Sequence, residues 1–243
     1  MSDKKNAVGG EREYWGVVPV MPAQQLMETA KLMEDLGYTG AFSYQVFGPP
    51  FIPLAVAAAA TTRLKVASGI AIAGTRSPFE TAMAAIDVDR ISEGRFILGL
   101  GSGAPVWTQD IFGSPPYKPI AHLRDTVAAV RHIVAGAHCG LEPFDGEYYK
   151  ASFRELKPTD PPPRTEIPIW VAALREKLLR AGVEIADGVI GHPMWSPNWA
   201  VNEMGPVIDD ALAKAGRERS DLEVNVWPWM AINDDRKQAV EDA

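Results

Sequence analysis

Short apolar runs alternate along the chain with segments whose apolar residues recur at helical spacing. From Trp15 onward this alternation is typical of a parallel sheet with crossover helices. A final helix is expected to begin near Asp235, and an irregular stretch is expected over residues 136–167. The predicted strands cover residues 15–20, 39–45, 64–73, 96–101, 168–173, 187–192 and 222–231, and the predicted helices cover 23–36, 52–60, 78–91, 119–135, 176–186 and 197–215.

The predicted helix over 78–91 has the strongest start signal. Ser77 offers an N-cap hydroxyl, Pro78 suits the first helical position, and Glu80 stands three residues after the cap. Other helices show one apolar face each. In 119–135 and 197–215 the residues expected to pack on the sheet are Leu123, Val127, Val130, Val134, Met204, Val207, Ile208, Ala211 and Leu212.

The predicted strands over 64–73 and 96–101 are almost continuously apolar or small, as expected of strands covered on both faces. A dinucleotide-binding sheet would need its glycine-rich turn directly after the first strand, where this chain reads VVPVMPAQQ. The pattern therefore favours an α/β fold of the TIM (β/α)8-barrel type. Seven strands are counted, so we expect the last βα unit to be lacking in this chain, either because the sequence is a fragment or because the barrel is incomplete. Its open edges predict a homo-oligomer or low stability.

Composition narrows the expected setting and partners. The chain has 243 residues, a formal net charge of -7 and scattered basic residues, which gives no electrostatic footprint for nucleic acid. Cys139 is the only cysteine and the four histidines show no metal-binding spacing, so neither a disulfide nor a metal site is expected. A polar, disordered lead over residues 1–14 precedes one domain over 15–243. No signal peptide or membrane span is expected, which predicts a cytoplasmic protein with a small-molecule partner.

The carboxyl ends of the strands define the candidate site, because active sites of parallel β/α barrels lie there. Gly101, Ser102 and Gly103 could present backbone N–H groups to a phosphate, or could form only a tight turn. Arg175 could clamp the same anion at a helix start, or be a solvated surface side chain. Small residues cluster on this rim, in Ser68-Gly69-Ile70-Ala71 and in Ala172-Ala173. Within the first, Gly69 marks either a bulge or a packing contact.

The run TRLKVASGIAIAGTRSPFETAMAAIDVDRISEGRFILGLGSG, from Thr62 to Gly103, resembles the signature of the luciferase-like monooxygenase superfamily. GYTGAF at 37–42, FDGEYY at 144–149 and EIADGVIGHPMWSP at 184–197 follow in the family's order. The sequence is most similar to the branch that uses coenzyme F420, a 5-deazaflavin, and FMN-using members share most of these motifs.

The resemblance implies a flavin-like ring stacked on a bulge in the third strand, at a cis peptide bond that would here join Gly69 and Ile70. It also implies that the cofactor phosphate is held by the turn at 101–103 and by the helix start at 175. The implied activity is F420-dependent hydride transfer to or from a small organic substrate. The alternatives are an FMN-dependent monooxygenase and a barrel that binds a cofactor without catalysis.

Some positions depart from the family's pattern. Gln45 stands at a catalytic position where many members have a histidine or glutamate, and a glutamine cannot act as an acid or base. Ala104 replaces a glutamate found in some deazaflavin enzymes, and Arg175-Glu176 replaces a common Gly-Pro.

The remaining candidates for proton transfer lie at two other strand ends. His192 is the first candidate, since the usual histidine pKa of about 6.5 suits proton exchange, although a structural role is the alternative. Tyr44 is the second. We expect one of two roles for Trp107, Trp195 and Trp227: they form an apolar wall of the substrate site, or they pack under loops.

Overall fold

The structure, a computed structural model, describes residues 13–228 and 231–242, so the expected disordered lead lies outside it except for Glu13 and Tyr14. Within these residues the strands are β1 (Trp15–Val17), β2 (Gly40–Ser43), β3 (Lys65–Ser68), β4 (Ala71–Ile72), β5 (Phe96–Gly101), β6 (Phe144–Asp145), β7 (Lys150–Ala151), β8 (Ile169–Ala173), β9 (Gly188–Gly191) and β10 (Glu223–Val226). The α-helices are α1 (Ala23–Asp35), α2 (Phe51–Ala60), α3 (Pro78–Ile91), α4 (Pro119–Gly136), α5 (Glu176–Ile185), α6 (Pro197–Trp199), α7 (Gly205–Ala215) and α8 (Arg236–Asp242).

The main sheet runs in the order β1-β2-β3-β5-β8-β9-β10, with every neighbouring pair parallel and with β4 paired to β5. This order follows the chain, as in a β/α barrel, and confirms the predicted fold class. Within the described residues β1 and β10 are the two edges and no pairing joins them. The expected homo-oligomer stays a prediction. None of the described helices is long and apolar enough to span a bilayer.

Aromatic rings fill the inside of the curled sheet. Phe42 of β2 packs against Trp15 of β1 at a ring-centroid distance of 4.6 Å, and against Trp227, which follows β10, at 4.8 Å. Trp170 of β8 lies 5.3 Å from Trp15. Because these rings come from strands spread across the sheet, their contacts join its two ends around one apolar interior. The helices pack on the outer face over two further clusters of buried apolar residues.

A bulge splits the third strand position of the sheet. Pairing between β3 and β5 reaches Ala67↔Ile97, and pairing between β4 and β5 resumes at Ala71↔Leu100. Between these pairs three residues of one strand face two of the other, which is the pattern of a β-bulge. The prediction of one continuous strand over 64–73 is therefore wrong in its middle, because the extra residue interrupts the ladder.

Ser68 stabilises this bulge with its side chain. Its Oγ donates to the carbonyl oxygen of Gly99 at 2.8 Å and accepts from the Gly99 N–H at 2.8 Å. Gly99 must lack a side chain, because a Cβ there would overlap the Ser68 carbonyl oxygen. The following peptide bond, Gly69–Ile70, is cis, as the resemblance implied.

Most predicted helix boundaries agree with the structure, and the exceptions are local. The capping box of Ser77 and Glu80 at the start of α3 is confirmed. The helix predicted over 197–215 is divided, since a π-helical segment, Ala200–Met204, separates α6 from α7. A second π-helical segment, Val106–Ile111, and the β6–β7 hairpin were not predicted. Both lie where the sequence shows no clear period.

A buried ion pair fastens the irregular stretch before β8 to the sheet. The carboxylate of Asp89 in α3 is 1% exposed and accepts from Nη2 of Arg164 at 2.7 Å, while the Arg164 side chain is 31% exposed. Nη2 of Arg164 also donates to the carbonyl oxygen of Phe96 in β5. The pair therefore connects α3, β5 and the segment that leads into β8.

We predict that Asp89→Ala lowers the free energy of unfolding by about 2–3 kcal/mol. This lies below the roughly 3–5 kcal/mol typical of breaking a fully buried pair, because water reaches part of the arginine. Urea unfolding followed by circular dichroism would measure it. The matched control is Asp145→Ala, which removes a pair whose side chains are 79% and 67% exposed and should leave the midpoint unchanged. Equal effects of the two substitutions would contradict the prediction.

Candidate functional site

At the carboxyl end of the sheet, three neighbouring strand positions approach one another closely because one of their residues is a glycine. A Cβ on Gly101 would overlap Cδ1 of Ile70 and would lie 3.7 Å from Cβ of Ala172. The absent side chain of Gly101 thus lets the bulge, β5 and β8 approach one another. Ile70, Gly101 and Ala172 form the floor of the rim, where a flat ligand can lie close to the main chain.

The turn after β5 carries backbone donors without acceptors. Within residues 13–228 and 231–242, the N–H groups of Ser102, Gly103 and Ala104 donate to no protein acceptor. Gly103 has φ +67°, the left-handed conformation that favours glycine, and a Cβ there would lie 2.7 Å from methyl carbons of Ile72 and Thr108. Successive N–H groups around a left-handed residue form a concave anion site. The free N–H groups and the left-handed Gly103 are compatible with the predicted phosphate turn, which stays a prediction.

The start of α5 lies on the same rim. Arg175 is the N-cap residue of this helix and makes no side-chain cap bond. Together with Leu174, it lines an open cleft of about 340 Å³, whose other walls are Met194, Trp195, Ser196 and Trp199. Glu176, which could repel an anion, accepts from Arg180 Nε at 2.9 Å. That ion pair offsets part of the repulsion expected from the sequence.

The side chain of Gln45 is used for structure. Its Oε1 accepts from the N–H of Ile72 at 2.9 Å and from Nη2 of Arg76 at 2.7 Å, and its Nε2 donates to Thr75 at 3.0 Å. Burial lowers the pKa of Arg76, whose Nη1 is inaccessible and has no partner among the described residues. Gln45 thus holds β4 and the following turn against the end of β2.

His192 and Tyr44 are both exposed at strand ends. Nδ1 of His192 accepts from the N–H of Met194 at 3.2 Å, so the neutral ring carries its proton on Nε2. Tyr44 directly follows β2, and the residue is 44% exposed. Among the described residues no contact joins His192 to Tyr44. Either side chain is accessible to a ligand on the rim.

The three tryptophans have different positions. Trp227 lies inside the sheet, where a Cβ on Gly69 would lie 2.7 Å from Cζ2 of Trp227. Gly69 is therefore a close-packing glycine on that side. Trp195 is buried and its Nε1 donates to the carbonyl oxygen of Leu174 at 3.0 Å, and Trp107 lies in the first π-helical segment. Only Trp195, of these three, lines the rim cleft.

Two further observations concern possible sites away from the rim. A cleft of about 310 Å³ lies near the start of β8, away from the rim, and two of its charged side chains, Arg131 and Asp187, pair with each other at 3.0 Å. In the described part of the chain, no group of three or more histidine, cysteine, aspartate or glutamate side chains could hold a metal ion.

An aromatic group beside the phosphate turn was missed by the sequence reasoning. Tyr117 stacks on His122 at 4.1 Å, and the edge of Tyr148 meets His122 at 5.3 Å. Burial lowers the pKa of His122, and the carboxylate of Asp125 partly opposes this lowering. Tyr117 lies in an aperiodic segment, so no sequence signal marked it. Arg76 was also missed, although it directly precedes the capping box of α3.

Comparisons with known proteins agree with the observed fold. A model of the luciferase-like monooxygenase family matches residues 5–243. An uncharacterized protein of Mycobacterium tuberculosis is 33% identical over 82% of this chain, which spans only 59% of that relative's length. The 5,10-methylenetetrahydromethanopterin reductase of Archaeoglobus fulgidus is 30% identical over 91% of this chain and 64% of its own. The coenzyme F420-dependent tetrahydromethanopterin reductase structure from Methanopyrus kandleri superposes with TM-score 0.80 at 23% identity, over 96% of this chain and 70% of that one.

We predict that Gln45→Ala lowers the free energy of unfolding by about 2 kcal/mol, because the buried N–H of Ile72 loses its acceptor. Gln24→Ala is the matched control, since the Gln24 amide makes one exposed bond, to Glu28. Both variants can be compared by urea unfolding. A Gln45→Ala midpoint equal to that of the control would show that the Gln45 bonds do not support the fold.

Stability should also depend on pH through His122. The histidine of the unfolded chain has a pKa of about 6.5, whereas that of the folded protein is lower, so the unfolded state binds more protons between the two values. Stability is therefore lost as the pH falls from about 6.5 through the folded pKa. His122→Phe, which keeps a ring in the stack, should lose less unfolding free energy between pH 7.5 and pH 5.5. Parallel pH profiles of the two proteins would contradict this assignment.

Proposed function

Because the chain belongs to the luciferase-like monooxygenase family, we propose that it is an F420-dependent oxidoreductase acting on a small organic substrate. The observation that carries this proposal is the row of free backbone N–H groups at Ser102, Gly103 and Ala104 beside the floor of Ile70 and Gly101. A phosphate-bearing cofactor with a flat ring matches both features. The chain spans 59% of the length of one relative, so the activity of the whole protein is part of this proposal.

The residues of the rim would divide the work of binding. The turn at 101–104 would hold the phosphate, with Arg175 and the first turn of α5 adding positive potential. The ring would lie over Ile70, Gly101 and Ala172. When bound, F420 supplies hydride transfer at C5 of its deazaflavin, and the protein supplies orientation and exclusion of water.

One proton carrier is assigned within the same proposal. His192 is exposed and its Nε2 carries the proton of the neutral ring, so it can exchange a proton with a ligand on the rim. Tyr44 is the second candidate. Gln45 has no proton to exchange in the neutral range, and its amide is engaged in hydrogen bonds with Ile72, Arg76 and Thr75.

FMN is the second candidate cofactor. It carries a phosphate and a flat ring of the same size class, and FMN-using members share most of the motifs that this chain contains. With FMN, the bound cofactor would supply oxygen activation in a monooxygenase. A third hypothesis is a barrel that binds the cofactor without catalysis. It is supported by Gln45 and Ala104, which stand where other members of the family have residues that can transfer a proton.

Cofactor titration of the purified protein distinguishes these three hypotheses. Quenching of protein fluorescence by oxidised F420 and by FMN would give both dissociation constants, and bleaching of bound F420 on addition of secondary alcohols would report hydride transfer. Tighter binding of F420, with turnover, is the expected result. Preference for FMN would favour the monooxygenase, and binding without reduction by any donor would favour the non-catalytic barrel. No binding of either cofactor would overturn the proposal.

We predict that Gly103→Ala raises the dissociation constant of the cofactor by about 10- to 100-fold. A Cβ there would lie 2.7 Å from methyl carbons of Ile72 and Thr108, so the turn would have to shift and would lose roughly 1.5–3 kcal/mol of bonding to the charged phosphate. The matched control is Gly216→Ala at the end of α7. Gly216 has φ +66°, nearly the +67° of Gly103, but a Cβ there meets nothing within 4 Å. The control should show the same backbone strain with unchanged cofactor affinity. Equal affinity in both variants would remove the turn from the site.

A further inference from the structure

The hydroxyl of Tyr117 makes a direct bond to the proposed phosphate turn. It donates to the carbonyl oxygen of Ser102 at 2.8 Å. In a trans peptide the C=O of one residue and the N–H of the next point in opposite directions. Fixing the Ser102 carbonyl toward Tyr117 therefore turns the N–H of Gly103 away from the tyrosine. This N–H is one of the three that lack an acceptor in the described structure.

Two close contacts determine where the Tyr117 ring lies. On one side is Gly74, where a Cβ would overlap the tyrosine hydroxyl. On the other side the ring stacks on His122 of α4, with 21° between the planes. The ring is therefore held between a backbone that must lack a side chain and a flat partner.

The FDGEYY segment supports this stack from outside the barrel. Tyr148 meets His122 edge-on at 5.3 Å, and its hydroxyl accepts from the N–H of Lys118 at 3.4 Å. The carboxylate of Asp125 accepts from three successive N–H groups of the hairpin at 2.9–3.0 Å, those of Glu147, Tyr148 and Tyr149. A continuous series of contacts thus runs from the β6–β7 hairpin through His122 and Tyr117 to Ser102.

We propose that Tyr117 is a positioning residue for the cofactor phosphate: it acts through the Ser102 carbonyl and aims the Gly103 N–H at the anion. This inference rests on the proposed function and deepens it. In this arrangement the FDGEYY motif stabilises the stack of Tyr117 on His122. Because the tyrosine acts on the phosphate turn and not on the ring floor, its effect should be confined to ligands that carry the phosphate.

The test compares Tyr117→Phe with the unchanged chain, using FMN and riboflavin, which differ by the phosphate, and F420 beside its phosphate-free deazariboflavin parent. Phenylalanine keeps the stack on His122 and removes only the hydroxyl. Dissociation constants of the phosphate-bearing ligands should rise by about 2- to 10-fold, the effect of one neutral hydrogen bond. Those of the phosphate-free ligands should stay within about twofold. Melting temperatures from circular dichroism show that each variant is folded.

The matched control is Tyr38→Phe before β2, at the opposite end of the sheet from the rim, which removes a hydroxyl that bonds to nothing in the described residues. It should change no dissociation constant. Equal weakening of phosphate-bearing and phosphate-free ligands by Tyr117→Phe would overturn the inference, as would no weakening at all. If the unchanged chain binds neither F420 nor FMN, the proposed function fails and this inference fails with it. If it binds them and Tyr117→Phe binds them equally well, only this inference fails.

Discussion

One side chain makes the interrupted third strand possible. Where the bulge takes an extra residue out of the ladder, the hydroxyl of Ser68 replaces a backbone partner by bonding both polar groups of Gly99 at 2.8 Å. Buried polar groups left unpaired there would cost about 1–3 kcal/mol each. With the ladder satisfied in this way, the chain can turn at Gly69 and Ile70, set Ile70 on Gly101, and resume pairing one residue out of step. The rim described above depends on that arrangement.

The sequence predicted the architecture because its signals were repeated and local. Apolar runs, caps such as Ser77, and the chain order of strands each agree with the observed sheet. It could not locate the bulge to the residue, since an interrupted strand and a continuous one have the same apolar composition. It also missed the division of the helix over 197–215, because the buried residues Met204, Ile208 and Ala211 keep helical spacing across the boundary between the π-helical segment and α7.

The candidate site was predictable in its backbone and less so in its side chains. Glycine turns at strand ends are visible in the sequence, and the structure places Gly101 and Gly103 where small size is required. The assignments that depend on long-range partners were not visible. Gln45 bonds residues 27 to 31 positions away, and Tyr117 reaches Ser102 from an aperiodic loop. Partners of this kind depend on how the elements pack, which no local pattern encodes.

Several glycines at and beneath the rim leave no room for a side chain. This limits which positions of the site can be substituted. At Gly69, Gly99 and Gly101 a first methyl group meets an aromatic ring, a carbonyl oxygen or Ile70. At these three glycines even the smallest substitution, to alanine, is therefore blocked. Diversification has to proceed at the periphery, where Tyr44, Leu174 and Met194 are exposed and can vary in size or charge without displacing the main chain. Under the proposed function, the invariant backbone would bind the cofactor and the exposed side chains would vary with the substrate.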